Sequence, residues 1–202
     1  WRVLLAPMMY PNTGNMGLPV VLYAFGSAGF AYGITVMVTV SLFQFTLGAV
    51  LNSQGNPLKT LAKTPTVYAI AISMVLLLTD TSLPPWLANT VDLMSGFTVP
   101  LMLITLGVSL ASIQVKNLRS GLGFSLVRLP LAAVVAWLIA GWVGLPPLAQ
   151  NILVLQMCMP VAVFNYLFAQ RAQREPVYVA SLVFCSTLLA LFYLPALLAL
   201  LM

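Results

Sequence analysis

The stretch of sequence that decides the fold is Tyr10-Pro11-Asn12-Thr13-Gly14-Asn15-Met16-Gly17-Leu18-Pro19. It lies inside an apolar run, residues 3–25, that is long enough to cross a lipid bilayer. At mid-depth in a bilayer, helix-breaking residues are tolerated only where the freed backbone groups meet protein, water or a ligand. The stretch therefore predicts a membrane span that is interrupted near its centre, at about Gly14.

The composition indicates an integral membrane protein in contact with the lipid bilayer. Hydrophobic residues make up 61% of the 202 positions and charged residues only 5%, whereas soluble domains carry about 25% charged residues. The net charge is +5, but the basic residues are scattered in ones and twos, so we predict no nucleic-acid partner. The chain has no histidine, and its acidic residues fall in or beside predicted loops. We therefore predict no enzymatic activity, no metal site and no cofactor.

The apolar runs predict an all-α, polytopic membrane protein with seven transmembrane segments. These are residues 3–25, 30–51, 66–78, 91–113, 122–143, 148–169 and the remainder of the chain after Glu175. Residues 26–29 are a predicted tight turn, and residues 52–65 form the longest polar stretch.

The basic residues support this count of segments. Alternating spans place seven of them on one side, namely Arg2, Lys59, Lys63, Lys116, Arg119, Arg171 and Arg174, and place Asp80 and Asp92 on the other. Because cytoplasmic loops carry the excess of Lys and Arg, residue 1 is predicted to be cytoplasmic and the C-terminus outside. Arg128, in the fifth span, is predicted to snorkel to the cytoplasmic interface, with attraction of anions toward the site as the less favoured alternative.

The sixth span carries a second interruption. Pro160 lies near its centre and Asn165 follows one turn later. The first and sixth spans run in opposite directions, so the two breaks are predicted at the same depth. Crossed breaks of this kind are typical of secondary transporters built from inverted repeats, with the binding site where the breaks meet. Residues 64–202 would form one complete five-helix repeat and residues 1–63 the end of another, with three further spans expected upstream.

The breaks also supply the candidate binding residues. The N-terminus of a half-helix presents unpaired N–H groups and the positive end of a dipole, which suits a carboxylate. Pro19 and Pro160 are the residues predicted to make the breaks. Five polar side chains at or near the breaks could add contacts to the substrate: Asn12, Thr13, Asn15, Gln44 and Asn165. The alternative for the amides is that they cap broken helix ends and join neighbouring spans, and this alternative is favoured for Gln44.

Three stretches together resemble the auxin efflux carrier family of permeases, relatives of the plant PIN auxin transporters. Residues 10–19 resemble its P-N-T-G-(x)-x-G-x-P signature, residues 99–110 its P-L-x-L-x-x-x-G-x-x-L span, and residues 159–165 its M-P-x-A-x-x-N segment. The resemblance implies ten spans in a 5+5 inverted repeat, with helices four and nine broken and crossing. It places Asn12, Asn15 and Pro19 in the first crossover, and Pro160 and Asn165 in the second.

The same resemblance implies an elevator-type mechanism, a homodimer formed through a scaffold, and organic anions as substrates. Spans 66–78 and 91–113 would belong to the scaffold. The first three spans of the family have no counterpart in these residues, and neither has the long central hydrophilic loop of the PIN-type members. We therefore expect a bacterial permease of the inner (plasma) membrane.

The favoured hypothesis is thus a secondary transporter that moves small organic anions by alternating access. One alternative is a sodium-coupled carrier similar to bile-acid symporters, with Na⁺ on backbone carbonyls at the breaks. Another is a truncated, non-transporting fragment or a partner subunit of a split transporter. A seven-helix receptor is disfavoured, because residue 1 is predicted inside and the last span has no lysine to hold retinal.

Overall fold

The structure is a computed structural model that describes residues 2–48, 65–112 and 117–202. The predicted loop 52–64 with Lys59 and Lys63, and Lys116, lie outside these residues. The described part is all-α, as predicted, apart from one isolated antiparallel bridge. Its helices are α1 Arg2–Met9, α2 Leu18–Phe43, α3 Pro65–Leu78, α4 Pro85–Ser112, α5 Leu118–Val143, α6 Pro147–Met157, α7 Val163–Arg171 and α8 Pro176–Leu201. Two π-helical turns, Thr13–Gly17 and Gln44–Gly48, flank α2.

Helix α2 folds back on itself at Gly26. This glycine has φ 65° and ψ −162°, a conformation that residues with a Cβ rarely adopt. A Cβ placed on Gly33 would lie 3.2 Å from the Leu18 side chain and 3.1 Å from that of Val21. In a straight helix, residues 18 and 33 would be about 22 Å apart. The turn predicted at residues 26–29 is therefore present, and Gly26 makes it.

The core is built around α8. Its buried side chains Val183, Ala190 and Leu194 belong to one cluster with Val21 of α2 and Ile152 of α6. Helices α5, α6 and α7 also pack against α8. Residues in the middle of α5 and α8 thereby contact the broken segments between α1 and α2 and between α6 and α7.

Two hydrogen bonds fix the relative directions of the helices. Ser120 Oγ and Tyr178 Oη are 2.8 Å apart, so α5 and α8 begin at the same end of the bundle. Asn151 Nδ2 donates to Leu201 O at 2.7 Å, so α6 begins at the opposite end. Arg119 at the start of α5 consequently lies at the same end as the start of α8, as the predicted basic side requires.

The outer helices present apolar side chains. Along α4, large hydrophobic residues including Leu93, Met94 and Phe97 are exposed. By length and apolarity, four helical stretches of the described residues could cross a membrane: Thr13–Phe43, Pro85–Ala111, Leu118–Val143 and Pro176–Leu201. The first of these contains the reversal at Gly26, and α3 is shorter, with 14 residues. The count of seven segments and the 5+5 repeat stay predictions.

Candidate functional site at the crossed breaks

The two breaks contact each other directly. Between α1 and the first π-helical turn, and again between α6 and α7, the chain is extended, and Pro11 and Val161 form an antiparallel bridge. Asn12 N–H donates to Pro160 O at 2.7 Å, and Ala162 N–H donates to Tyr10 O at 3.1 Å. The structure therefore brings together two segments that the sequence placed at the same depth.

Proline chemistry explains why the helices stop here. Pro11 has no N–H to donate to the carbonyl four residues earlier, that of Pro7, and its ring clashes with a continuing helix. Pro160 has the same effect on Gln156 O, which accepts from Met159 N–H at 3.2 Å instead. Helix α1 accordingly ends at Met9 and α6 at Met157.

Pro19 was expected to make the first break, and this prediction is wrong. It lies in the first turn of α2, where a missing N–H is tolerated. The π-helical turn runs directly into α2, since Leu18 N–H bonds back to Thr13 O and Gly14 O. Gly14 and Asn15 are therefore helical, and the interruption lies at Tyr10–Asn12 instead of near Gly14.

Side chains from other helices satisfy the backbone groups that the breaks release. Arg128 Nε donates to Pro7 O at 3.0 Å and Arg128 Nη1 donates to Met159 O at 2.7 Å. Tyr193 Oη donates to Cys158 O at 2.6 Å. Val161 N–H donates to Ser186 Oγ at 3.0 Å. Each of these backbone groups thus has a partner without a continuous helix.

Arg128 does not snorkel, contrary to the prediction. Only 3% of its surface is exposed. Helix α5 begins at Leu118 and not at residue 122, so Arg128 lies about 15 Å along it, roughly halfway through a hydrocarbon core of about 30 Å. Its hydrogen-bond acceptors are both backbone carbonyls, and the three acidic residues of the chain are exposed. A charge at the middle of a span was the sequence signal that could have identified it as functional.

Asn165 and Gln44 are tied into the protein. Asn165 Nδ2 donates to Tyr10 O at 3.1 Å, and Gln44 Nε2 donates to Asn165 Oδ1 at 3.4 Å. Tyr10 Oη in turn donates to Phe43 O at 3.1 Å. All three residues are buried. Asn165 therefore joins the second break to the first, and Gln44 joins it to the second π-helical turn.

Asn12 differs from Asn165 in having an unused donor. Its side chain is 5% exposed, and its Nδ2 atom has no hydrogen-bond partner in the protein. Thr13 is buried beside it, whereas Asn15 is half-buried in the same π-helical turn. A buried donor without a partner costs about 1–3 kcal/mol. The position therefore suits an acceptor that the protein does not provide.

Gln156 is a polar residue of the site that the sequence reasoning missed. It is fully buried on α6, and its Nε2 donates to Gly33 O at 3.4 Å. Its Oε1 faces Gly17 and has no donor. Within the described ranges, three buried side-chain atoms lack a partner: Asn12 Nδ2, Arg128 Nη2 and Gln156 Oε1. A glutamine four residues before a mid-span proline was the available signal.

Three aromatic rings lie next to the amide pair. Phe45 contacts Phe164 and Phe168 edge-on, with ring centroids 5.4 and 6.0 Å apart. Phe45 follows Gln44 in the chain, and Phe164 precedes Asn165. Sequence reasoning did not single these rings out, because a phenylalanine in an apolar span has the same pattern whether it faces lipid or a neighbouring helix.

Comparison with known proteins shows the family of the chain. The family model described as Membrane transport protein matches residues 50–198. An uncharacterized transporter of Methanocaldococcus jannaschii is 26% identical over 198 residues, which cover 93% of this chain and 64% of the relative. An uncharacterized transporter of Methanothermobacter thermautotrophicus is 29% identical over 207 residues, covering 96% of this chain and 66% of the relative. The chain thus spans about two thirds of the length of both relatives. It belongs to the Membrane transport protein family, the family of the auxin efflux carriers that its three sequence stretches resemble.

Proposed function

We propose that this protein is a secondary transporter for small organic anions, carboxylates in particular, and that the substrate binds at the crossed breaks. Family membership and the two transporter relatives support the class. The observation that supports this binding site is the buried, unpaired Asn12 Nδ2 at the crossing, the point where the two breaks contact each other. A carboxylate oxygen is the acceptor that this donor lacks, because hydrogen bonds to ionised oxygens are about twice as strong as neutral ones.

The charge distribution favours an anion over a cation. The π-helical turn Thr13–Gly17 leads into α2, and α7 begins at Val163, so two positive helix ends start at the crossing. Arg128 adds a buried positive charge, and in the part of the chain that the structure describes no carboxylate approaches it. Phe45 and Phe164, beside Gln44 and Asn165, would contact the apolar part of the substrate.

The proposed mechanism is alternating access of the elevator type. The bundle that contains the crossing, with α1, α2 and α5 to α8, would move as a unit against α3 and α4. In this division α5, α6 and α7 pack against α8, and α4 meets the moving bundle at the first π-helical turn, where its Leu106 joins the core cluster. We further propose that α3 and α4 help form a homodimer in a bacterial inner membrane, with residue 1 in the cytoplasm.

Sodium coupling at the crossing is the less favoured mechanism. A sodium ion there would need free carbonyl oxygens. Tyr10 O, Cys158 O, Met159 O and Pro160 O each already accept a hydrogen bond from the protein. We therefore propose that transport does not require Na⁺.

Flux measurements test the function. The protein would be expressed from its complete reading frame, reconstituted into liposomes and supplied with radiolabelled benzoate or malate, with benzamide as the neutral control. We expect saturable uptake of at least one carboxylate, equal in Na⁺ and in choline, and much slower uptake of benzamide. Absence of carboxylate uptake in both media would contradict the proposal.

A variant set tests the position of the site. Asn12→Ala, Asn15→Ala and Asn165→Ala would be combined and compared with Asn89→Ala, which removes an exposed amide of α4. We expect the triple variant to lose at least about 90% of the flux, since several hydrogen bonds are removed together, and Asn89→Ala to keep it. Equal flux at equal protein content would exclude the crossing as the site.

A further inference from the structure

Arg128 contacts both breaks from a third helix. Its Nε and Nη1 atoms donate to Pro7 O, in the last turn of α1, and to Met159 O, just after the end of α6. Pro7 lies in the half-helix α1 and Met159 follows the half-helix α6, and both half-helices end at the crossing. A single guanidinium therefore fixes the two breaks relative to each other.

Charge explains why a cation is stable at this position. The C-terminal ends of α1 and α6 carry partial negative charge, because their last carbonyls have no helical partner. In an apolar interior a full positive charge is costly unless it is matched. Here the two carbonyl ends match it in part, and Nη2 remains unpaired.

We propose that Arg128 is the resident cation of the crossing, a positioning residue that holds a freed carbonyl of each break. By holding the carbonyl ends of α1 and α6, it fixes the directions of the π-helical turn and α7, whose N–H groups face the substrate. Its charge also gives the site its preference for anions, a step that rests on the proposed function.

This role requires the planar guanidinium of an arginine. Arginine presents five donors in a rigid fork, whereas lysine is a flexible point charge. Arg128→Lys keeps the charge but not the fixed angle between the two hydrogen bonds. Arg128→Gln keeps donors but removes the charge, and Arg128→Met keeps only the apolar bulk.

Hydrogen exchange tests the positioning role without any substrate. The amides of Asn12 and Ala162 form the bridge between the breaks, so peptides over residues 8–14 and 158–164 report it directly. In lipid nanodiscs, we expect these peptides to exchange about ten- to a hundredfold faster in Arg128→Ala, the effect of losing hydrogen bonds to a charged group. Arg119→Ala, which removes an exposed arginine of the same helix, should leave them unchanged.

Chemical rescue separates charge from packing. Millimolar ethylguanidinium should restore protection to Arg128→Ala, whereas N-ethylurea, which is neutral and similar in shape, should not. Unchanged exchange in Arg128→Ala, or equal rescue by the two compounds, would overturn the proposal. If Arg128→Ala does not fold, Arg128→Lys is compared with Arg128→Gln and Arg128→Met, and equal protection in all three would likewise overturn it.

The selectivity step has its own measurement. The ratio of benzoate to benzamide uptake should stay high in Arg128→Lys and fall about tenfold in Arg128→Gln, as expected for the loss of one charge-assisted interaction. An unchanged ratio would overturn the selectivity step. Absence of carboxylate uptake by the wild-type protein would refute the proposed function instead, and the exchange result would stand.

Discussion

The two breaks are made by the same residue type but treat their polar groups differently. At the second break, Cys158 O, Met159 O and Val161 N–H are each bound by a side chain of another helix, and both amide atoms of Asn165 are used. At the first break, Asn12 Nδ2 has no partner. The second break therefore serves as the rigid support, and the first offers the free donor.

The chain also leaves the two breaks in different ways. After the second break, α7 starts as an ordinary α-helix. After the first, the chain forms a π-helical turn with glycine at positions 14 and 17. Such turns occur frequently at functional sites, in agreement with a ligand-binding role for the first break.

The largest effect is expected at Gly17. A Cβ there would overlap Gln156 Oε1 and lie 2.9 Å from Gln156 Cδ, whereas a Cβ on Gly14 would meet only Met37 Sδ at 3.6 Å. Gly17→Ala should lower the free energy of unfolding by about 1–3 kcal/mol through overpacking. Thermal unfolding in detergent, with Gly14→Ala as the matched control, measures it.

The double variant Gly17→Ala with Gln156→Ala should cost less than the sum of its two single variants, because the overlapping atoms are gone. Equal destabilisation by Gly17→Ala and Gly14→Ala would show that the first break is as loosely packed as an exposed turn.

Asn165→Ala should reduce stability by about 2 kcal/mol, since it leaves Tyr10 O with one donor fewer and Gln44 Nε2 without its acceptor. Gln170→Ala, which removes an exposed amide of the same helix, is the control. Unfolding temperature is the measurement. If Asn165→Ala raised only the half-saturation concentration for the carboxylate and left stability intact, Asn165 would be a ligand contact and the assignment of the two breaks would be reversed.

Asn12→Ala should leave stability within about 0.5 kcal/mol of wild type, because its Nδ2 bonds to nothing in the protein. The half-saturation concentration for the transported carboxylate should rise about tenfold, the loss of one charge-assisted hydrogen bond. Asn15→Ala, half-buried in the same turn, should change it less than about twofold. A clear loss of stability in Asn12→Ala, with unchanged half-saturation, would make both breaks structural supports.

The local features of this site could be predicted from the sequence. Proline, asparagine and glycine inside apolar runs indicated both interruptions, and the distribution of basic residues indicated that the two spans run in opposite directions. From these facts the proximity of Asn12, Pro160 and Asn165 followed. The turn near Gly26 was predictable for the same reason, because its signal lies in adjacent residues.

The choice of partners could not be predicted. Tyr193 and Ser186 have the same sequence pattern as any polar residue in an apolar span. The mid-span charge of Arg128 marks it as functional, but only the packing of distant helices decides which carbonyl or N–H each of the three side chains meets. Pro11 and Pro19 show the same limit. Both lack the N–H that a helical hydrogen bond needs. The helix breaks at Pro11 but continues from a π-helical turn past Pro19, and sequence periodicity does not reveal this difference.

The bridge between Pro11 and Val161 also bears on how the protein is made. Tyr10 O and the Asn165 amide that binds it are 155 positions apart, so the first break leaves the ribosome long before its partners in the second break exist. Bilayer lipid offers nothing to its freed carbonyls. The first span is therefore inserted incomplete, and the crossing closes only when α6 and α7 arrive. The bridge between the breaks therefore forms late in biogenesis, and a chain that ends before residue 158 lacks Pro160 O and Ala162 N–H, the partners of Asn12 N–H and Tyr10 O.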